Sequence, residues 1–195
     1  MSTPVHRFPG RGRRYDLEPD AEAKNPFMAE AIAVLDERAE RASDLLRDLT
    51  TEQLAFVPSN VYFSIAKVFL HLVTAEEEWM TRVRPHPVPA HLKEVMTYGS
   101  IMDGTAPPGT LLHADRLRGV ASEYRDTVSR PLLREITDPE QEIADGSKLR
   151  TVRQVMHHLT WHWPYHSAHI GLIRLMTGSD YVWTFAEHWA DRQPT

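Results

Sequence analysis

The chain has 195 residues, 42% of them hydrophobic and 25% charged, with a formal net charge of −5 and no cysteine. That length supports one domain with a substantial core, and the acidic balance argues against a nucleic-acid partner. Without cysteine there can be no disulfide, thiolate metal site or cysteine nucleophile, so a metal would need His, Asp or Glu. No apolar run is long enough to span a bilayer and no secretory segment follows the basic N-terminus, so the expectation is a cytoplasmic protein without a membrane partner.

Residues 1–24 carry Arg7, Arg11, Arg13 and Arg14, then acidic residues, and show no periodicity; they read as an N-terminal arm. A first helix is expected over 26–48, with Asn25 as N-cap and Pro26 in the first turn, where its missing N–H is no loss. Its stripe of Met28, Ile32, Leu35, Ala39, Ala42, Leu46 and Leu49 alternates steps of four and three, the pattern of bundle packing. Thr50 and Gln53 fit a capping box for a short turn. A second helix should begin at Ser64 and stop near Val83, before Pro85, with Ile65, Val68, His71, Leu72 and Trp79 on its inner face. Residues 84–109 contain five prolines and read as a long connection, which frees the second and third helices from forming a tight antiparallel hairpin. A third helix over 110–132 presents Leu117, Val120, Tyr124 and Val128, and residues 134–150 read as irregular. Thr151 and Gln154 form a capping box that opens a fourth helix over 151–176, ended by Gly178. The fold expected is all-α, a four-helix bundle over 25–178. The tail, 179–195, carries Tyr181, Trp183, Phe185 and Trp189, aromatics expected to dock on the bundle or on a second subunit.

The fourth helix carries the chemistry. Five of the eleven histidines lie between residues 157 and 169. The stripe Val152, Val155, Leu159 continues as His162, His166 and His169, then Ile173 and Met176, so imidazoles stand where a bundle helix would carry leucine. An unsatisfied buried polar group costs about 1–3 kcal/mol. Either these rings bond to backbone and to each other, or a divalent metal takes up their lone pairs, since neutral imidazole is a common ligand for zinc and its neighbours. His162 and His166, four apart, can chelate one ion from a single element. A third ligand must come from elsewhere, and His71 is the best-placed residue. No acidic residue lies between Thr151 and Gly178, which argues against a di-iron site. Three neutral imidazoles would leave a dication charged and with an open position, able to lower the pKa of bound water to about 7 or to hold a thiolate. Pro164 falls between the proposed ligands, and a kink or wide turn is expected there. His6, His86, His91, His113 and His188 read as ordinary, and Glu78 as solvated.

The run Ser64-Ile-Ala-Lys-Val-Phe-Leu-His71 through Trp79, followed by His162-x-x-x-His166-x-x-His169, resembles the DinB/YfiT-like metalloenzymes of the DinB superfamily over about residues 27–178. The resemblance implies a four-helix bundle in up-down-down-up order, many of whose members are dimers. It implies a zinc or nickel ion held by His71, His162 and His166. Members with known chemistry resemble transferases or isomerases that use a low-molecular-weight thiol. Where the family often carries His-Arg-Gly-Gln, this chain has His166-Ser167-Ala168-His169, which makes His169 a candidate neighbour of a ligand. His158, one turn before His162, and Tyr124, from the third helix, are further candidates for a role near the reacting groups. The expectation is a homodimeric metal-dependent enzyme, zinc first and nickel second, activating a thiol or water as an S-transferase or hydrolase on a small-molecule substrate. The alternatives are a non-catalytic, metal-stapled, stress-related bundle, and a protein whose aromatic tail binds a partner.

Overall fold

The computed structural model describes residues 17–179; the basic run at residues 7–14 and the aromatic tail from 180 onward lie outside them. Helix α1, Pro26–Asp44, is capped by Asn25, whose side chain accepts from the N–H groups of Phe27 and Met28. It ends earlier than the expected 48, in a turn where Asp48 takes a φ of 60°. Every residue of its expected stripe is nevertheless buried. Helix α2, Thr51–Ala55, has the Thr50–Gln53 capping box. Helix α3, Ile65–Val83, starts behind Ser64, whose hydroxyl accepts from Lys67 N–H.

The long connection contains a short helix, α4 (Ala90–Met96), that burial of Leu92, Val95 and Met96 holds in place. The third long run differs more from expectation. It begins at Ala114 as α5 (Ala114–Tyr124). It then widens into a π-helical turn over Arg125–Ser129, where Arg130 N–H bonds to the carbonyl of Arg125, and finishes as α6 (Arg130–Arg134). Pro131 gives a reason. It has no N–H to donate, and its ring would crowd the preceding turn of a regular helix, so a wide turn just before it relieves both problems.

Residues 142–150, expected to be irregular, together with Thr151 form an antiparallel hairpin of β1 (Glu142–Asp145) and β2 (Lys148–Thr151) with Asp145 opposite Lys148. Its signal is the two-residue loop Gly146-Ser147, with Gly146 at φ 61° as the first position of the tight turn requires. Among the described residues the fold is therefore helical with one small hairpin. Thr151 then caps α7, Val152–Met176, through a complete capping box with Gln154.

Helix α7 passes through Pro164 without changing helical type, so the wide turn expected there is found before Pro131 instead. The expected heptad stripe is buried through Ile173 except at His169, which is half-buried, and leaves the core at Met176, which is 54% exposed, while Ile170 and Arg174 beside it face inward. A straight helix turns every 3.6 residues, so a 3.5-residue stripe drifts about 20° per heptad and is off the core face after three.

The four long runs enclose one core. Phe27 of α1 meets His157 of α7, and Arg174 donates to the carbonyls of Leu45 and Arg47. Phe63, just before α3, meets His169, and Trp79 on α3 meets His158. Residues 20–24 are fastened to the end of α6: Lys24 N–H donates to Arg134 O at 2.9 Å, and Arg134 pairs with Asp20 at 2.9 Å. No described helix is long and apolar enough to cross a membrane.

Candidate metal centre

His71 stands on α3, and His162 and His166 stand one turn apart on α7. Their ring centroids are 5.0 Å (71–162), 4.8 Å (71–166) and 4.5 Å (162–166) apart. One nitrogen from each can be chosen so that all three lie within 4.8 Å of one another, and this is the one such cluster of metal-ligating side chains among the described residues. The two α7 histidines are buried and His71 is half-buried.

The tautomer of His71 is fixed. Its Nδ1 lies 3.1 Å from the carbonyl oxygen of Gly99, which can only accept, so Nδ1 carries the proton and Nε2 keeps a lone pair. This contact requires the loop after α4 to press against α3. A Cβ on Gly99 would lie 2.0 Å from Thr74 Oγ1, so only glycine lets that carbonyl reach the ring. Thr74 also ties the loop down, donating to Met96 O at 3.2 Å.

Burial holds all three imidazoles neutral. It pushes His162 down to about 3 and His166 to about 4, with the neighbouring imidazoles adding to the effect. His71 is lowered by burial too, opposed by the Gly99 bond and the charge of Glu78. Neutral imidazole is the metal-binding form, so these rings are ready as ligands at ordinary pH.

The residues fit an ion on two grounds. The Nδ1 of His162 is buried and has no hydrogen-bond partner, the arrangement that costs most when nothing takes it up. The donor set is also all nitrogen. A tetrahedral zinc with Zn–N bonds near 2.1 Å needs nitrogens about 3.4 Å apart, a contraction within reach of side-chain torsions from 4.8 Å.

The other expected residues divide. His169 is beside the centre: its Nδ1 is 3.3 Å from Nδ1 of His166, and its ring is walled by Tyr165 and Phe63. His158 packs on the opposite side of His162 at 5.4 Å, between Trp79 and Trp161. Tyr124 is buried beside Glu76 and Glu77, and burial with those charges raises its pKa. It belongs with a different cluster. Glu78 is exposed, as expected.

That second cluster was missed by sequence reasoning. Glu76 is fully buried and accepts from Trp163 Nε1 at 2.8 Å, from Arg125 Nη1 at 2.6 Å and from Ser129 Oγ. Arg125 in turn pairs with Asp36 of α1 at 2.7 Å, and Arg130 joins the same carboxylate at 3.0 Å. A signal was present: Glu76 interrupts the apolar stripe Phe69, Leu72, Met80, Val83 at helical spacing.

A helix of one long run offering His71 against a His-x-x-x-His pair on another is the arrangement on which the resemblance above rests. The sequence model of the DinB superfamily matches residues 34–170, which takes in all three histidines. The chain belongs to the DinB superfamily. This DinB protein matches no curated protein. Membership and the three-histidine cluster together make it a protein with the ligands for a divalent metal.

Proposed function

We propose that this chain is a metal-dependent enzyme of the DinB superfamily, with His71, His162 and His166 holding zinc, or nickel as the alternative, and acting on a small-molecule substrate as a thiol S-transferase or hydrolase. The observation that carries the reading is the combination of three neutral imidazoles from two helices with no carboxylate among them. A dication held this way keeps its positive charge and an open position, and supplies the acidity that turns a thiol or water into a nucleophile near neutral pH. The protein's own part is orientation. Gly99 holds the His71 ring through Nδ1, and His169 stands against Nδ1 of His166, where one of the two nitrogens must carry the proton between them.

The four long runs are read as an up-down-down-up bundle. Phe27 with His157, and Arg174 with Leu45 and Arg47, support α1 and α7 pointing the same way. Phe63 with His169 and Trp79 with His158 support α3 pointing against α7. Lys24 with Arg134 and Thr51 with Leu112 support the α5–α6 run pointing against α1. A homodimer and a cytoplasmic address complete the proposal.

Native mass spectrometry of tag-free protein tests it: one zinc or nickel per chain in a dimer is expected. Thiol-transfer assays with low-molecular-weight thiols and an electrophilic acceptor then separate an enzyme from a metal-stapled bundle. Metal bound without turnover, with a fourth protein ligand closing the coordination, would favour the staple.

A further inference from the structure

Trp163 lies between the two α7 ligands in sequence, one residue after His162 and three before His166. Its indole ring is fully buried and its Nε1 donates to Glu76 Oε2 at 2.8 Å. Glu76 sits on α3, five residues after His71. The bond therefore joins the same two helices that supply the metal ligands, a little over one turn from the cluster.

The Glu76 carboxylate is itself held. Arg125 Nη1 and Ser129 Oγ, both from the π turn, donate to its other oxygen. Arg125 is anchored by Asp36 of α1, its Nε donating to Oδ1 at 2.8 Å. Four helical runs thus meet in one buried polar cluster. Apolar side chains alone tolerate sliding between helices, whereas a buried charge tolerates few arrangements because any unmet group is costly. A slip of one helical turn is about 5.4 Å, more than the 4.8 Å within which the three ligand nitrogens now lie.

We propose that Glu76 and Trp163 are positioning residues for the metal centre: their bond, backed by Arg125, Ser129 and Asp36, fixes the register of α3 against α7 and so holds His71 opposite His162 and His166. This rests on the metal-binding reading above. It assigns a role to a charged cluster that touches no substrate and supplies no ligand.

Cobalt(II) added to the full-length, tag-free, metal-free chain is the probe, because its visible absorption reports ligand geometry as well as affinity. Trp163→Phe removes the donor while leaving Glu76 its other partners. It is expected to weaken cobalt affinity about 10-fold or more, the scale of outer-sphere losses at metal sites, and to change the absorption envelope. Leu117→Ala, a buried α5 position outside the cluster, controls for lost stability, and should leave affinity within about threefold and the spectrum unchanged. Glu76→Gln, which keeps shape and an accepting oxygen, should recover part of the affinity that Glu76→Ala loses. If Trp163→Phe does not fold, the Glu76→Gln and Glu76→Ala pair decides on the same readouts. Wild-type affinity and spectrum in Trp163→Phe, or no difference between the two Glu76 variants, overturns the positioning role and leaves the metal reading standing. Wild-type protein that takes up no cobalt overturns both.

Discussion

The seam between α3 and α7 holds two buried polar clusters of opposite character. At Glu76 every charge meets its opposite: carboxylate on guanidinium, guanidinium on Asp36, indole N–H on carboxylate. At His71, His162 and His166 the groups are all bases, they push one another's pKa values down, and the Nδ1 of His162 meets nothing. Both clusters take polar atoms out of water. In the first the charges compensate one another, though the Tyr124 hydroxyl beside them has no hydrogen-bond partner; the second holds no opposite charge at all, which separates a cluster suited to holding helices from one suited to taking up a cation.

The difference can be broken at its strongest point. In metal-free protein, Glu76→Ala leaves the buried Arg125 with Asp36 alone of its two carboxylate partners, and unfolding by urea should show a loss of about 3–5 kcal/mol, the scale for removing one partner of a buried ion pair. His162→Ala under the same conditions should cost much less, because the ring it removes has an unmet nitrogen. Equal losses would erase the distinction.

Metal reverses the ranking. At a free zinc concentration 100 times Kd, wild type should gain about 2.7 kcal/mol of stability, and His71→Ala, His162→Ala and His166→Ala should each forfeit that gain. Thermal melts with and without zinc, beside competition titrations, measure it. A variant of these three that keeps full zinc stabilisation would show that the ligand set is wrong.

Acid sharpens the contrast. The folded-state values of about 3 for His162 and about 4 for His166 lie below the ordinary 6.5, so between them the unfolded chain binds more protons. Stability of the metal-free protein should therefore be full above about pH 6.5 and fall as pH drops through this window toward 3. His162→Leu with His166→Leu should flatten that slope, and an unchanged slope would locate it in the carboxylates instead.

The smallest effect is expected at His169. His169→Gln replaces a ring beside His166 Nδ1 with a side chain that can still meet it, and should keep one metal per chain with an affinity change under about 10-fold. Loss of the ion in this variant, with retention in His71→Ala, would place the whole site on α7.

Much of this was legible in the sequence where the cause is local. Asn25, Ser64 and Thr151 mark helix starts because capping needs only neighbours a few residues away. The His162–His166 pair was legible from spacing and His71 from its place on the inner face of the second helix, and the DinB resemblance implied the same three residues. What was missed depends on distant contacts. Glu76 stands out in the sequence only as a break in an apolar stripe, and its partner Arg125 lies far along the chain, so their pairing shows only in the fold. The wide turn at 125–129 needed Pro131 to be weighed as an obstacle within an otherwise regular run. The hairpin at 142–151 has a local signal in Gly146-Ser147, but strands of only four residues each are too short to show a clear alternation.

The Gly99–His71 contact has one further consequence. The proton that orients the His71 ring is held by a loop carbonyl, not by a helix, so under the proposed reading the segment after α4 and a bound metal would share one free energy. Whatever the ion gains from an oriented His71 ring, it returns as tighter closure of that loop, and a force that lifts the loop away must loosen the ion by the same factor. The long connection, which from its prolines reads as a spacer, is thermodynamically a part of the centre it crosses.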